Sequence, residues 1–265
     1  MAHSTKISLK PQTPSGVDVL DRAFSILFAF RAEDTPLTLA ELSKRTGLYK
    51  STLLRLAGSL IHHHFLVRLG DGRYRLGPAG FALGSIYQAG MNVGEVLLPI
   101  MRGLSSELGE AISFHVREGN ARICLYRINS TYTIGPQVRV GDIQLLEKGA
   151  GGRVLLAFSG QAGEPYDTVR RCYYYMSSGE RDPETAGISA PVFGDDQKLI
   201  GALGIVGPVS RVDIPYMKKV KGRLLLAAAQ ATESMGGNPV PLREAAKARH
   251  DSDIPKPGRR ASISG

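Results

Sequence analysis

Few residues have types and spacings that could do chemistry. Gly149-Ala150-Gly151-Gly152 precedes the helix-compatible run Arg153-Val154-Leu155. Glycines that open a helix leave backbone N–H groups exposed, and such amides attract anions such as carboxylates. The run is only half of a dinucleotide fingerprint: the preceding IQLLEK is short and charged, and no third glycine or acid about 20 residues on completes it. His62-His63-His64 close a helical stretch, where consecutive side chains point ~100° apart. They cannot converge on one ion as the i, i+4 pair of a zinc helix does, so neither a metal nor a cofactor is expected. His115 lies on the polar face of an alternating strand with no Ser or Asp partner nearby in sequence. That pattern suits a pocket or surface histidine better than a catalytic base. Tyr173-Tyr174-Tyr175 could stack on a ligand, and strand packing explains the run equally well. No GxSxG elbow, phosphate-loop lysine motif or HExxH is present, and an enzyme is not expected. Cys124 and Cys172 form neither a CxxC pair nor a dense framework, which suits reduced, buried, small hydrophobes.

A different set of polar residues sits at the start of a helix. Over 49–63, Leu53, Leu56, Ala57 and Leu60 fall at i, i+3, i+4 and i+7 and define a core stripe. Ser51, Arg55, Ser59 and His62 occupy the opposite face, with Lys50 and Thr52 near the N-terminus. Two helices precede this one. In the first, Val17, Leu20, Phe24, Leu27, Phe28 and Ala29–Phe30 recur at helical spacing. The second opens at Thr38 with Glu41 three residues later, a capping box, and ends at Gly47, suited to the left-handed position beyond a helix. Two helices joined by a short glycine-containing turn form a helix-turn-helix. Leu66-Val67-Arg68 and Tyr74-Arg75-Leu76 then flank Asp71-Gly72, a strong hairpin signal. Three helices followed by a basic hairpin predict a winged helix-turn-helix.

Charge supports a polyanion partner for this block. The chain carries a formal +9, unevenly spread. Residues 38–77 hold seven Lys/Arg against Glu41 and Asp71, a balance of +5, and residues 236–265 hold six against three, or +3. Residues 1–37 are neutral, leaving +1 for 78–235. A basic block beside a nearly neutral larger domain is the footprint of a nucleic-acid binder. No run approaches the roughly 18 apolar residues of a membrane helix, and MAHSTKISLK lacks the apolar core of a secretory signal. A cytoplasmic protein with no membrane partner is expected.

The organisation reads as a mobile leader over 1–15, the winged helix-turn-helix over 16–77, a linker helix over 78–91, a larger domain over 92–235 and a disordered basic tail over 236–265. In the larger domain a helix carries Leu97, Ile100, Met101, Leu104 and Leu108, with Pro99 expected to kink it. From Gly109 the period changes to two, with Ile112, Phe114 and Val116 alternating with Ser113, His115 and Arg117. Further strands are predicted at RICLYRI, at Pro136–Val140, and at GISAPVF and LIGALGIVG joined through Gly194-Asp195-Asp196. Helices fit 150–159 and 213–234. Mixed hairpins and helices make this an α+β domain with a mainly antiparallel sheet.

The run TGLYKSTLLRLAGSLIHHHFLVRLGDGRYRLG resembles the IclR-type bacterial transcription regulators, whose pattern is close to TGL-x-KST-x-x-RLL-x-x-L, a Gly-Phe, a wing and YRLG. His64 stands where that pattern has glycine, and Tyr49 where proline is frequent. The similarity continues in RVGDIQLLEKGAGGRVLLAFSG and GISAPVF and covers roughly residues 17–234. The resemblance implies a winged helix followed by an α/β effector domain like GAF modules. It implies binding of promoter DNA as a homodimer or tetramer and response to a small metabolite. Carried over, the DNA-binding residues are Thr38, Tyr49, Lys50, Ser51, Thr52 and Arg55, with Arg68 and Arg73 in the wing. The ligand loop falls on Lys148, Gly149, Ala150, Gly151 and Gly152, the next ligand segment on Gly187, Ile188 and Ser189, and an acidic position on Ser177. A facing Leu145 would help Ile188 close an apolar wall. Glycine in place of the family's hydroxyl and thiol positions is expected to enlarge the pocket and favour a bulkier, more apolar organic acid. The alternative is an effector-independent architectural DNA-binding protein with a vestigial pocket.

Overall fold

Thr38 and Glu41 start the second helix as their spacing requires. The Glu41 N–H donates to the Thr38 hydroxyl at 3.2 Å, and Glu41 Oε2 accepts from the Thr38 N–H at 2.7 Å. Gly47, at φ 75°, closes the helix in the left-handed region. The structure, a computed structural model, describes residues 16–31, 33–132 and 138–248. These fall into two units, 16–91 and 92–248.

The smaller unit contains α1 (Asp18–Leu27), α2 (Leu39–Thr46), α3 (Lys50–His62), the hairpin β1 (Leu66–Arg68) and β2 (Tyr74–Leu76), and α4 (Pro78–Met91). Its core joins Leu53, Leu56 and Ala57 of α3 to Ile26, Leu37, Leu42, Leu66 and Tyr74. Leu37 also exchanges backbone hydrogen bonds with Tyr74 at 2.7 and 2.8 Å, which ties the entry of α2 to the wing. The apolar face of the first helix is exposed at Val17, Leu20, Phe24 and Phe28, and Ile26 is its buried residue. The periodicity there marks a real apolar face that no described residue covers. His64 adopts φ 59° at the turn into the wing, a conformation that costs a non-glycine residue about 1–2 kcal/mol.

The larger unit runs α5 (Gly94–Leu108), β3 (Ala111–Glu118), β4 (Ala121–Ile128), β5 (Ile143–Leu145), α6 (Ala150–Phe158), α7 (Tyr166–Cys172), β6 (Tyr175–Ser178), β7 (Thr185–Phe193), β8 (Leu199–Pro208), α8 (Ile214–Ser234) and α9 (Val240–Lys247). The strands form one antiparallel sheet in the order β5-β4-β3-β8-β7-β6. Ile112, Phe114, Ile188, Ala190, Leu203 and Ile205 share the face toward α5 and α8. Ser113, His115, Ser177, Gly187, Ser189 and Gly204 share the face toward α6, so small and polar residues line up beneath one helix. With helices on both faces, the apolar–polar alternation of β3 does not separate core from solvent, and Ser113 and His115 are both buried. α5 continues through Pro99 as one helix.

Three expectations need correction. The basic tail is not disordered throughout: residues 240–247 form α9, with Leu242 fully buried against α8. Arg243 pairs with Glu233 at 2.6 Å and Lys221 Nζ donates to the Ala248 carbonyl at 3.2 Å. Composition averaged over the whole tail hid this short amphipathic segment. Of the strand expected over Pro136–Val140, residues 136–137 lie outside the described residues and 138–140 are not strand; the edge of the sheet is β5. The α7 helix and the β6 strand, which begins at Tyr175, were not predicted. The leader, 1–15, and residues 249–265 lie outside the described residues.

If α9 is an integral part of the larger unit, Leu242→Ala removes a fully buried side chain and lowers its stability by about 2–5 kcal/mol. Urea denaturation of the full chain followed by circular dichroism measures this, and an unchanged midpoint contradicts the packed helix.

Candidate functional site

Two sites are built by these elements, one in each unit. On α3 the buried stripe turns Tyr49, Lys50, Ser51 and Arg55 outward, all exposed, with Thr52 half-buried beside them. Neither Lys50 nor Arg55 has an ion pair among the described residues. The wing is less uniformly available. Arg68 is exposed, but Arg73 donates from Nε and approaches from Nη2 to Asp71 Oδ2, each at 2.7 Å. The pair holds the Asp71 carboxyl below its ordinary range and the Arg73 guanidinium above its own. Thr38 has its hydroxyl engaged in the cap, donating to Glu41 Oε2 at 2.8 Å. Arg45, part of the basic block, is structural: it donates to the Ala29 carbonyl at 2.9 Å and clamps Asp34. Arg75 is exposed and bonds only the neighbouring Leu76 carbonyl, at 3.1 Å.

The second site is a cavity of about 50 Å³ between the N-terminus of α6 and the sheet. Gly149, Ala150, Gly151, Ser177, Gly187 and Ser189 line it. Gly151 faces its interior: a Cβ there would stand 3.0 Å from Arg122 Nη1, 3.6 Å from His115 Nδ1 and 3.7 Å from Ser189 Oγ. Gly152 has a packing role, since a Cβ on it would strike the Leu146 carbonyl oxygen at 2.0 Å. Two of the exposed amides are already engaged by the protein. Gly149 N–H donates to Glu180 Oε2 at 3.2 Å and Ala150 N–H to Ser177 Oγ at 3.0 Å. The Gly151 and Gly152 N–H groups have no hydrogen bond to a described residue.

Sequence reasoning missed the charged residues of this cavity. Arg122 of β4 is wholly buried; its Nε donates to Gln144 Oε1 at 3.1 Å, and no carboxylate pairs with it among the described residues. Burial, and then the nearby Arg181 charge, push its guanidinium down to about 9. Arg181 also lines the cavity. His115 is buried with Nε2 lacking any hydrogen-bond partner. Burial first, then the Arg122, Arg181 and Arg127 charges, hold its imidazole well below the usual range, hence neutral. Arg122 gave a signal in sequence only as an alternating position in RICLYRI, indistinguishable there from a solvated arginine.

Leu145 and Ile188 do not wall the cavity. Strand alternation explains both: Ile188 turns to the opposite face from Gly187 and Ser189, and Leu145 turns away where Gln144 points in. Lys148 is exposed and outside it. Nor does Gly187 enlarge it. A Cβ at Gly187 would lie 2.6 Å from the Ile205 carbonyl oxygen, because the neighbouring strand has closed onto the missing side chain. The site is a narrow cavity of mixed lining, in which Arg122, Arg181, His115 and three serines stand beside Val138, Ile205 and Val206, and not the wide pocket expected.

A winged helix carrying an exposed basic face, joined to a sensor-like α/β unit, defines a transcription regulator of the helix-turn-helix class. Residues 19–70 match the model of the IclR helix-turn-helix domain, and residues 86–167 that of the bacterial transcriptional regulator IclR C-terminal domain. The chain belongs to the IclR family; it is a DNA-binding transcriptional regulator and not an enzyme. It is 28% identical over 229 residues to the regulator KipR of Bacillus subtilis, covering 76% of this chain and 90% of the relative. It is 21% identical over 249 residues to the transcriptional repressor IclR of Escherichia coli, covering 83% and 91%. Among solved structures, an IclR homolog of Microbacterium hydrocarbonoxydans in complex with 4-hydroxybenzoate shares the fold, with a TM-score of 0.68 at 22% identity over 82% of this chain and 98% of that one. No helix among the described residues is long and apolar enough to cross a membrane.

The neutral His115 has a pH consequence. The unfolded chain takes up a proton near pH 6.5 that the folded site refuses, so stability falls as pH drops below that value. In urea titrations of the full chain between pH 7 and 5.5, His115→Gln is expected to reduce this loss. An identical pH slope in both proteins contradicts a buried, neutral His115.

Proposed function

We propose that this regulator reads promoter DNA with α3 and the wing, and that a small organic acid held in the cavity modulates its occupancy. Lys50, Ser51, Thr52 and Arg55 enter the major groove from α3, beside Tyr49. Arg68 and the Asp71-tethered Arg73 approach the backbone or minor groove from the wing, and Thr38 lies at the start of the supporting helix. Phosphate contacts set the register and base contacts choose the sequence. A single winged helix offers few contacts, so the chain acts as a homodimer, or a tetramer of two such dimers, on half-sites about 34 Å apart or a multiple of that spacing. The uncovered apolar faces of α1 (Val17, Leu20, Phe24, Phe28) and α4 (Phe81, Leu83, Ile86) support self-association.

The observation that carries the effector reading is Arg122. A buried cation without a counter-ion is strongly disfavoured, and the open amides of Gly151 and Gly152 add positive potential at the start of α6. A carboxylate relieves both. That a homolog of the same fold was solved with 4-hydroxybenzoate is consistent with an organic acid as the class of effector. The ligand changes DNA affinity through its different affinities for the DNA-competent and incompetent states.

Replacing Arg55 with alanine is expected to weaken operator binding by about 1–3 kcal/mol, read by gel-shift titration with circular dichroism to verify folding. Unchanged affinity moves the reading surface elsewhere, and sedimentation of the same complex showing one chain per duplex defeats the dimer. For the effector, Gly151→Leu fills the cavity and is expected to abolish any shift in operator affinity produced by organic acids. If no acid shifts the wild-type affinity, the pocket is vestigial and the architectural reading takes over.

A further inference from the structure

The cavity holds a second arginine that has no ion pair among the described residues. Arg122 is buried and Arg181 half-buried, and both line the same space. Gly149 lies between them: a Cβ on it would be 3.4 Å from Arg122 Nη2 and 3.9 Å from the Arg181 Cβ. Neither arginine has an ion pair among the described residues; Asp182 and Asp142 act on the Arg181 charge, and Glu180 on that of Arg122, only from beyond ion-pair distance. Glu180 accepts from the Gly149 N–H at 3.2 Å and from the Tyr175 hydroxyl at 2.7 Å. Asp182 accepts from the Glu184 N–H at 3.0 Å, and Asp142 from the Arg139 N–H at 2.9 Å.

The rest of the lining is mixed, with Val138, Ala186, Ile205 and Val206 beside the polar groups. Ser113, Ser177 and Ser189 offer hydroxyls, and His115 Nε2 is a buried nitrogen without a partner. The remaining space is narrow. Taking the organic-acid reading as its basis, we propose that the effector is a compact dicarboxylate, with one carboxylate on Arg122 and the Gly151 amide and the other on Arg181. A monocarboxylate neutralises one of two like charges held close together and leaves the other facing an apolar tail. A dicarboxylate compensates both, and charge-assisted pairs to arginine are among the stronger polar contacts available. Burial and then the Arg181 charge lower the Arg122 guanidinium from its ordinary range, and a bound dianion offsets that repulsion.

Calorimetry on the full chain tests this with matched pairs of equal chain length: succinate against butyrate, glutarate against valerate, adipate against hexanoate. At least one dicarboxylate is expected to bind about tenfold or more tightly than its monocarboxylate partner, one such factor corresponding to about 1.4 kcal/mol. Arg181→Gln is expected to shrink that preference to within about threefold by weakening the dicarboxylate alone, whereas Arg122→Gln weakens both members of a pair. Thermal melts verify folding. Should Arg122→Gln not fold, the half-exposed Arg181 position decides the matter by itself. Monocarboxylates that bind as tightly as their partners, or an Arg181→Gln variant that weakens both members equally, overturn the dicarboxylate while leaving the organic-acid effector standing. Binding of no acid in the panel overturns both.

Discussion

The larger unit buries an arginine, Arg122, that has no ion pair among the described residues. Arg122 comes off β4 beneath the first turn of α6, where helix-dipole and amide groups add to its positive potential. The protein answers only the outer part of that potential, with Glu180 on the Gly149 N–H and Ser177 on the Ala150 N–H. The inner part, made by Arg122 and the Gly151 and Gly152 amides, has no protein partner among the described residues. Replacing a buried ion with an apolar group is often neutral or stabilising. Retaining a cation in a narrow space is therefore better explained by binding than by stability.

The surrounding elements make that position tenable. The sheet face beneath α6 carries small or hydroxylated residues at Ser113, Ser177, Gly187, Ser189 and Gly204, while the apolar residues that hold the unit together, such as Phe114, Ile188 and Leu203, turn to α5 and α8. A second apolar cluster, with Val154, Leu155, Val169, Tyr175 and Ala202, packs on the α6 side beside the cavity. The winged helix has its own core and its own logic: Leu53, Leu56 and Ala57 fix α3 against α1, α2 and the wing, so Arg55 and Lys50 are left outward by helical geometry alone.

The winged helix was the most legible part of the sequence because its signals are local. The Thr38–Glu41 cap, the Gly47 stop and the Asp71-Gly72 turn each fix a boundary within a few residues. What local signals could not show was who covers an apolar stripe. The pattern in α1 was real, yet Phe24 and Phe28 are uncovered. Nor could spacing reveal that Arg73 is tied to Asp71. In the larger unit the strands of the central hairpins were readable from their alternation, but the use of each face was not, since helices cover both. Arg122 and Arg181, 59 positions apart in the chain, meet only through the pairing of six strands. The glycines misled in the opposite way: replacing a thiol by Gly187 reads as added space until the Ile205 carbonyl is found occupying it.

The most direct measurement is a crystal structure of the full chain grown with the tightest-binding dicarboxylate. The account predicts ordered density in the cavity with carboxylate oxygens within hydrogen-bonding distance of Arg122 Nη1 or Nη2 and the Gly151 N–H. A cavity holding only water, with the Arg122 guanidinium turned onto a carboxylate of the protein, contradicts it.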